Sequence, residues 1–148
     1  MFGRMRLKVS DRVAGLSRTV GEEMLVPTRI YVKTVLRLLK EFHLHGLAHI
    51  TGGGFTDNIP RIIPPGCKAV LRKNTWPVPR IFKVIQEGGD IPEPEMLRTF
   101  NNGIGMVLSV PQKEAKRIIL RLKGLKEKAY PIGEIVKAGR GEKAIEYE

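Results

Sequence analysis

Apolar and polar positions divide the chain into short elements of alternating type. Residues 1 to 24 have little periodicity and are broken by Gly3, Gly15 and Gly21, which predicts an irregular lead-in. In "RIYVKTVLRLLKEFHLHG", Val32, Val35, Leu36, Leu39 and Phe42 recur at helical spacing, which predicts one apolar face. Lys33, Arg37, Lys40 and Glu41 take the opposite face, with Pro27 in the first turn and Gly46 as the stop. "LAHIT" reads as a short buried strand ending at three glycines. "DNIPRII" predicts one or two helical turns, capped by Asp57 or Asn58, with Pro60 in the first turn.

"KAVLRK" reads as a strand between turn signals, and "VPRIFKVIQEGG" and "EPEMLRTF" as helices. The run 103–110, apolar nearly throughout, predicts a strand covered on both faces. A helix follows, with Ala115, Ile118, Ile119, Leu122 and Leu125 as its stripe. "YPIGEIVKA" and "KAIEYE" read as a terminal hairpin around Gly139-Arg140-Gly141. Strands alternating with helices imply a mixed sheet covered by helices.

Composition narrows the class. With 148 residues, 42% of them hydrophobic, the chain can bury a core as one domain. Its longest apolar runs are far too short to span a membrane, and its basic N-terminus lacks the apolar stretch of a signal peptide. Cys67 is the only cysteine, so no internal disulfide forms, and no Cys/His cluster suggests zinc. These features predict a cytoplasmic protein. The net charge of +11 suits a nucleic acid or an anionic metabolite. Much of it falls on the long helix near the C-terminus, where a solvated face explains it. No zinc-finger, helix-turn-helix or aromatic RNA-binding pattern supports nucleic acid.

The candidate chemistry centres on "HITGGG", residues 49–54. Successive glycines after a strand turn backbone N–H groups toward one point and bind anions, phosphate foremost. A bare GGG is more often only a tight turn that needs positive φ. It is neither a P-loop nor a dinucleotide fingerprint. The neighbours favour a site. His49 and Thr51 share one face of a strand, with Ile50 opposite, and Asn58 and Arg61 follow within two helical turns. His43 and His45 read as surface or capping residues at a helix end, Trp76 as a core anchor, and Glu93 and Glu95 as helix-start acids. In "RTFNNGIGM", Arg98 and Asn101 read equally as turn chemistry or ligand contacts, and Gly103 and Gly105 fall on one strand face.

Five stretches carry a resemblance: "RTVGEEMLVPTRIYVK", "GLAHITGGGFTDNIPRIIP", "WPVPRIF", "EMLRTFNNGIGMVL" and "IGEIV". In this order they resemble the C-terminal part of the aminoimidazole ribonucleotide synthetases, the phosphoribosylformylglycinamidine cyclo-ligases of purine biosynthesis. The likeness runs from about Lys8 to the end of the chain. Asn102 departs from it, standing where a small or apolar residue is expected.

The resemblance implies an α+β fold of three α/β/α layers with a mixed sheet over residues 25–148, following the lead-in. It also implies ATP-dependent closure of formylglycinamidine ribonucleotide to aminoimidazole ribonucleotide. On it, His49 is catalytic, hydrogen-bonding the substrate amide or its phosphorylated form together with Thr51. The amides of Gly52, Gly53 and Gly54 hold phosphate, Asn58 supports the loop, and no residue of this chain binds metal. ATP and magnesium are then held mainly by an N-terminal domain whose motifs this sequence lacks. The expected partners are that domain, or its split-gene product, and a phosphorylated purine intermediate, with a homodimer left open. The chain is expected to be a truncation, half of a split gene or a stand-alone relative, inactive alone. The alternative is a phosphometabolite-binding module without catalysis.

Overall fold

Leu38 is fully buried at the centre of helix α2 (Val32–Glu41), and this sets which way the helix faces. In the computed structural model, which describes residues 3–148, Tyr31, Val35, Leu38 and Phe42 form the inward row. Val32, Leu36 and Leu39, predicted to be part of the core face, point outward. The segment is apolar around much of its circumference, so two rows with helical spacing overlap and periodicity alone does not choose between them. The helix begins at Val32, five residues beyond Pro27. The lead-in, expected to be irregular, holds a short helix α1 (Val20–Met24), closed by a capping box between Thr19 and Glu22. Residues 1 and 2 of that lead-in lie outside the described residues.

Strand β1 (Gly46–His49) runs antiparallel to β3 (Met106–Ser109), with His49 opposite Met106. Between them in sequence come helix α3 (Gly54–Asn58), a 3₁₀ turn over Ile59–Ile62, strand β2 (Cys67–Leu71), and helices α4 (Arg80–Gly89) and α5 (Glu93–Thr99). Helix α6 (Gln112–Gly124) then precedes β4 (Gly133–Lys137) and β5 (Ile145–Tyr147). The expected α+β class holds, with a mixed sheet of order β4-β2-β5 beside the β1-β3 pair. The terminal hairpin does not form. β4 lies antiparallel and β5 parallel to β2, one on each side of it. The β3 residues are half-buried rather than fully covered.

Two cores hold these elements. The larger joins Ala48, Ile50, Phe55, Trp76, Leu97 and Ile145, so both sheets, α3 and α5 meet there. Trp76 is the anchor predicted, edge-on to Phe55 at 5.4 Å. The smaller packs Leu38 of α2 against Ile118 and Leu122 of α6, two residues of the predicted α6 stripe. Arg121 pairs with Glu41 across this helix contact, and Arg117 lies over the Phe42 ring. Glu93 and Glu95 stand in the first turn of α5, as expected of helix-start acids.

Asn102 is buried and hydrogen-bonded through its amide nitrogen and its main-chain carbonyl. Its Nδ2 donates to the carbonyls of Met96 and Phe100, and its own carbonyl accepts from Trp76 Nε1. Its φ of +46° is one that asparagine tolerates better than a small apolar residue other than glycine. The polar exception in the sequence is therefore the device that closes α5 and holds the tryptophan.

Candidate functional site

The β1 ladder carries the chain to the glycines. Beyond His49, the Ile50 N–H still donates to the Gly105 carbonyl at 2.9 Å, so alternation persists past the strand. Ile50 turns into the core, while His49 and Thr51 face the other side and are exposed. The Gly54 N–H donates back to the Thr51 carbonyl at 3.0 Å, closing a tight turn. Helix α3 starts there, earlier than predicted.

Each glycine has its own reason. Gly53 has φ +93°, and a Cβ on it would lie 2.7 Å from Asp57 Cβ. Gly54 has φ +52°, and a Cβ on it would overlap the Leu97 carbonyl of α5. Gly52 needs neither freedom: its φ is ordinary and nothing lies within 4 Å of a Cβ placed on it. Two glycines are thus required by the turn and its packing, and only Gly52 has no structural demand. The Gly54 N–H, expected to hold phosphate, is already bonded to Thr51. Among the described residues the Gly52 and Gly53 N–H groups have no such partner.

Asn58 was expected as a helix cap or loop support, and it supports the loop. It is 4% exposed, and its Nδ2 donates to the Gly52 carbonyl at 3.1 Å and the Gly54 carbonyl at 2.8 Å. Asn58→Leu removes both bonds. It is expected to lower stability by about 1–3 kcal/mol, read as a shift of the urea midpoint at unchanged slope.

His49, Thr51 and Asn58 line one cleft of about 340 Å³, and Arg61 lines it with them. Gly52, Gly53 and Gly54 border the cleft in sequence but are not among its lining residues. Arg61 enters from the 3₁₀ turn, exposed and in no ion pair among the described residues. Sequence reading notes Arg61 near Asn58 without placing it in the site. The only signal for it is its distance of three residues from Asn58. Tyr31 is missed altogether. Its ring meets His49 edge-on at 5.9 Å, and its hydroxyl occupies the space a Cβ on Gly105 would need. Burial holds the Tyr31 phenol above its usual pKa, Arg29 pulls the other way, and Glu127 adds to the rise. The phenol is therefore a neutral group packed beside His49.

A second cleft, about 220 Å³, lies on the Ile50 side. Thr51, Phe82, Phe100 and Asn101 line it, so Thr51 borders both clefts. Asn101 uses its Oδ1 to accept the Gly103 N–H, and Arg98 stands exposed outside both. Gly103 and Gly105 do not share a strand face. Gly103 is in the turn before β3, with φ +96° and Pro79 packed against it.

The family described as AIR synthase related protein, C-terminal domain, matches residues 4–145. The chain belongs to that family. Over 142 residues it is 58% identical to the phosphoribosylformylglycinamidine cyclo-ligase of Geotalea daltonii, covering 96% of this chain and 41% of that protein. The cyclo-ligase of Citrifermentans bemidjiense is 54% identical over the same shares. That of Syntrophus aciditrophicus is 52% identical over 99% of this chain and 42% of its own length. This AIR synthase related domain therefore spans about two fifths of these relatives, as the resemblance implied. None of its described helices is long and apolar enough to cross a membrane.

Proposed function

We propose that the domain holds the phosphorylated substrate of an ATP-dependent cyclo-ligase of purine biosynthesis, and acts together with an N-terminal ATP-binding domain. In the reaction, the formyl amide oxygen of formylglycinamidine ribonucleotide receives the γ-phosphoryl group of ATP. The amidine nitrogen then closes the imidazole ring and phosphate departs. The observation that carries this reading is the convergence of His49, Thr51 and Arg61 on one cleft beside the glycine turn.

Arg61 supplies a fixed cation with paired N–H donors, a match for phosphate oxygens. The Thr51 hydroxyl and the Gly52 and Gly53 N–H groups add neutral donors. The Asp57 carboxylate packs against Gly53, which directs an anion toward Arg61 rather than deep into the glycine turn. His49 is placed to hydrogen-bond the amide oxygen or its phosphorylated form. Among the described residues no group of three His, Cys, Asp or Glu converges on a point. ATP and magnesium belong to the partner domain on this reading, and a cytoplasmic location accords with it. The alternative, a phosphometabolite-binding module without catalysis, predicts the same ligand but no gain of chemistry with the partner domain.

Calorimetric titration with ribose 5-phosphate tests the cleft. Arg61→Ala is expected to weaken binding about tenfold, and His49→Ala to leave ribose 5-phosphate binding near wild type. Equal affinity of wild type and Arg61→Ala would remove the cleft from phosphate recognition. Ring closure by the isolated domain, at a rate proportional to its concentration, would overturn the two-domain requirement.

A further inference from the structure

The outward row of α2 has no partner within the domain. Val32, Leu36 and Leu39 follow i, i+4, i+7 spacing and so lie side by side, about half exposed or more. Leu25 and Ile30, each 82% exposed, precede the helix, and Met24 and Val26 are exposed with them. Seven large apolar side chains between Met24 and Leu39 thus face outward, against four others elsewhere among the described residues. Monomeric proteins seldom show contiguous apolar patches beyond roughly a few hundred Å², and larger ones mark interfaces.

The border of this row is basic. Lys33, Arg37 and Lys40 form the next row round the helix, all exposed. None of them takes part in an ion pair among the described residues. A surface that fits here has an apolar centre and an acidic rim. More than half of each relative's length lies outside the match, and the matched unit is by description a C-terminal domain. The patch falls in the part of the chain nearest that remainder.

We propose that the outward row of α2, with Leu25 and Ile30, is the docking surface for the preceding N-terminal domain of the family, which meets it with an apolar patch rimmed by carboxylates. This rests on the reading above that such a domain is the partner. It adds where that domain sits: on the α2 face opposite Leu38, so that α2 is packed on both sides in the assembly.

The test is co-expression of this chain with the tagged preceding portion of the Geotalea daltonii cyclo-ligase, followed by tag purification. The wild-type chain is expected to co-purify, and more fully at low salt. Leu36→Asp combined with Leu39→Asp is expected to cut its recovery about tenfold with unchanged circular dichroism and melting. Leu120→Asp, at a 68% exposed position on α6, is expected to leave recovery unchanged. Recovery of the double variant at the wild-type level overturns the surface alone. Failure of the wild type to co-purify overturns the surface and the two-domain reading together, while the ribose 5-phosphate titration stands apart. A homodimer dissolved by the double variant, with recovery by the tagged portion unaffected, assigns the row to a second copy and also overturns the proposal.

Discussion

Gly54→Ala is expected to lower stability by about 3 kcal/mol or more, enough to leave little cooperative folding. Two costs combine. The residue holds φ +52°, where an alanine is strained, and the added Cβ would overlap the Leu97 carbonyl and come within 2.9 Å of the Phe100 carbonyl. Both obstacles are backbone at the end of α5, so no side-chain rotation relieves them. Relief requires α3 and α5 to separate, which opens the larger core at Phe55 and Leu97. Gly52→Ala is the matched control, expected to change stability by no more than about 0.5 kcal/mol, because its Cβ enters empty space. Urea melts of the two variants side by side decide the matter. Similar midpoints would show that α3 does not pack against α5 as described. Gly53→Val is a poor probe of ligand binding for a related reason: its φ of +93° and the nearby Asp57 Cβ make it a stability variant first.

Phe55→Ala is expected to cost about 3–5 kcal/mol, and to disturb the glycine turn with it. Phe55 is the first residue after the turn to enter the core, fully buried, with Trp76 edge-on to its ring. Truncation removes a large apolar contact and leaves a hole whose walls include Ile50, Trp76 and Leu97, from three separate stretches of the chain that do not collapse together. Phe55→Leu refills much of that space and should recover over half of the loss. A midpoint for Phe55→Ala within experimental error of wild type would mean the ring is not buried as described. The site should register the same change, because the bonds from Asn58 to Gly52 and Gly54 depend on α3 being seated.

What could be read from the sequence follows how local each feature is. The α4, α5 and α6 segments and the strands around "LAHI", "KAVL" and "MVLS" are set by period and by nearby glycine and proline, and they occur where predicted. The convergence of His49 and Thr51 on one cleft follows from strand alternation alone. The partner of a strand is not a local property. β4 and β5 look like a hairpin because a glycine turn separates them, yet both are drawn to β2, whose buried residues Ala69, Val70 and Leu71 need a neighbour on each edge. Which row of α2 faces inward is likewise not a local property, since it depends on where α6 packs. Arg61 reaches the cleft only because a 3₁₀ turn tightens the chain after Asn58, and Tyr31 reaches His49 only because Gly105 leaves room for its hydroxyl. Spacing brings Arg61 near Asn58 but does not aim it, and Tyr31 has no signature in spacing at all.

The strand order β4-β2-β5 bears on how the chain comes off the ribosome. β2 is complete by Leu71, but its parallel neighbour is Ile145–Tyr147, which is synthesised long after it. Until then one edge of β2 is bare, with its ladder N–H and C=O groups open to any extended segment that reaches them. The Ala69 N–H, which ends bonded to the Ala144 carbonyl, and the Lys73 N–H, which ends bonded to the Glu148 carbonyl, wait for the whole of α6 and β4 to be made. Pairing across so long a stretch of sequence is slow to nucleate. Nascent chains stalled between β4 and β5 should therefore be the species most prone to aggregate or to be held by chaperones, and emergence of β5 should be the step that lets the sheet close.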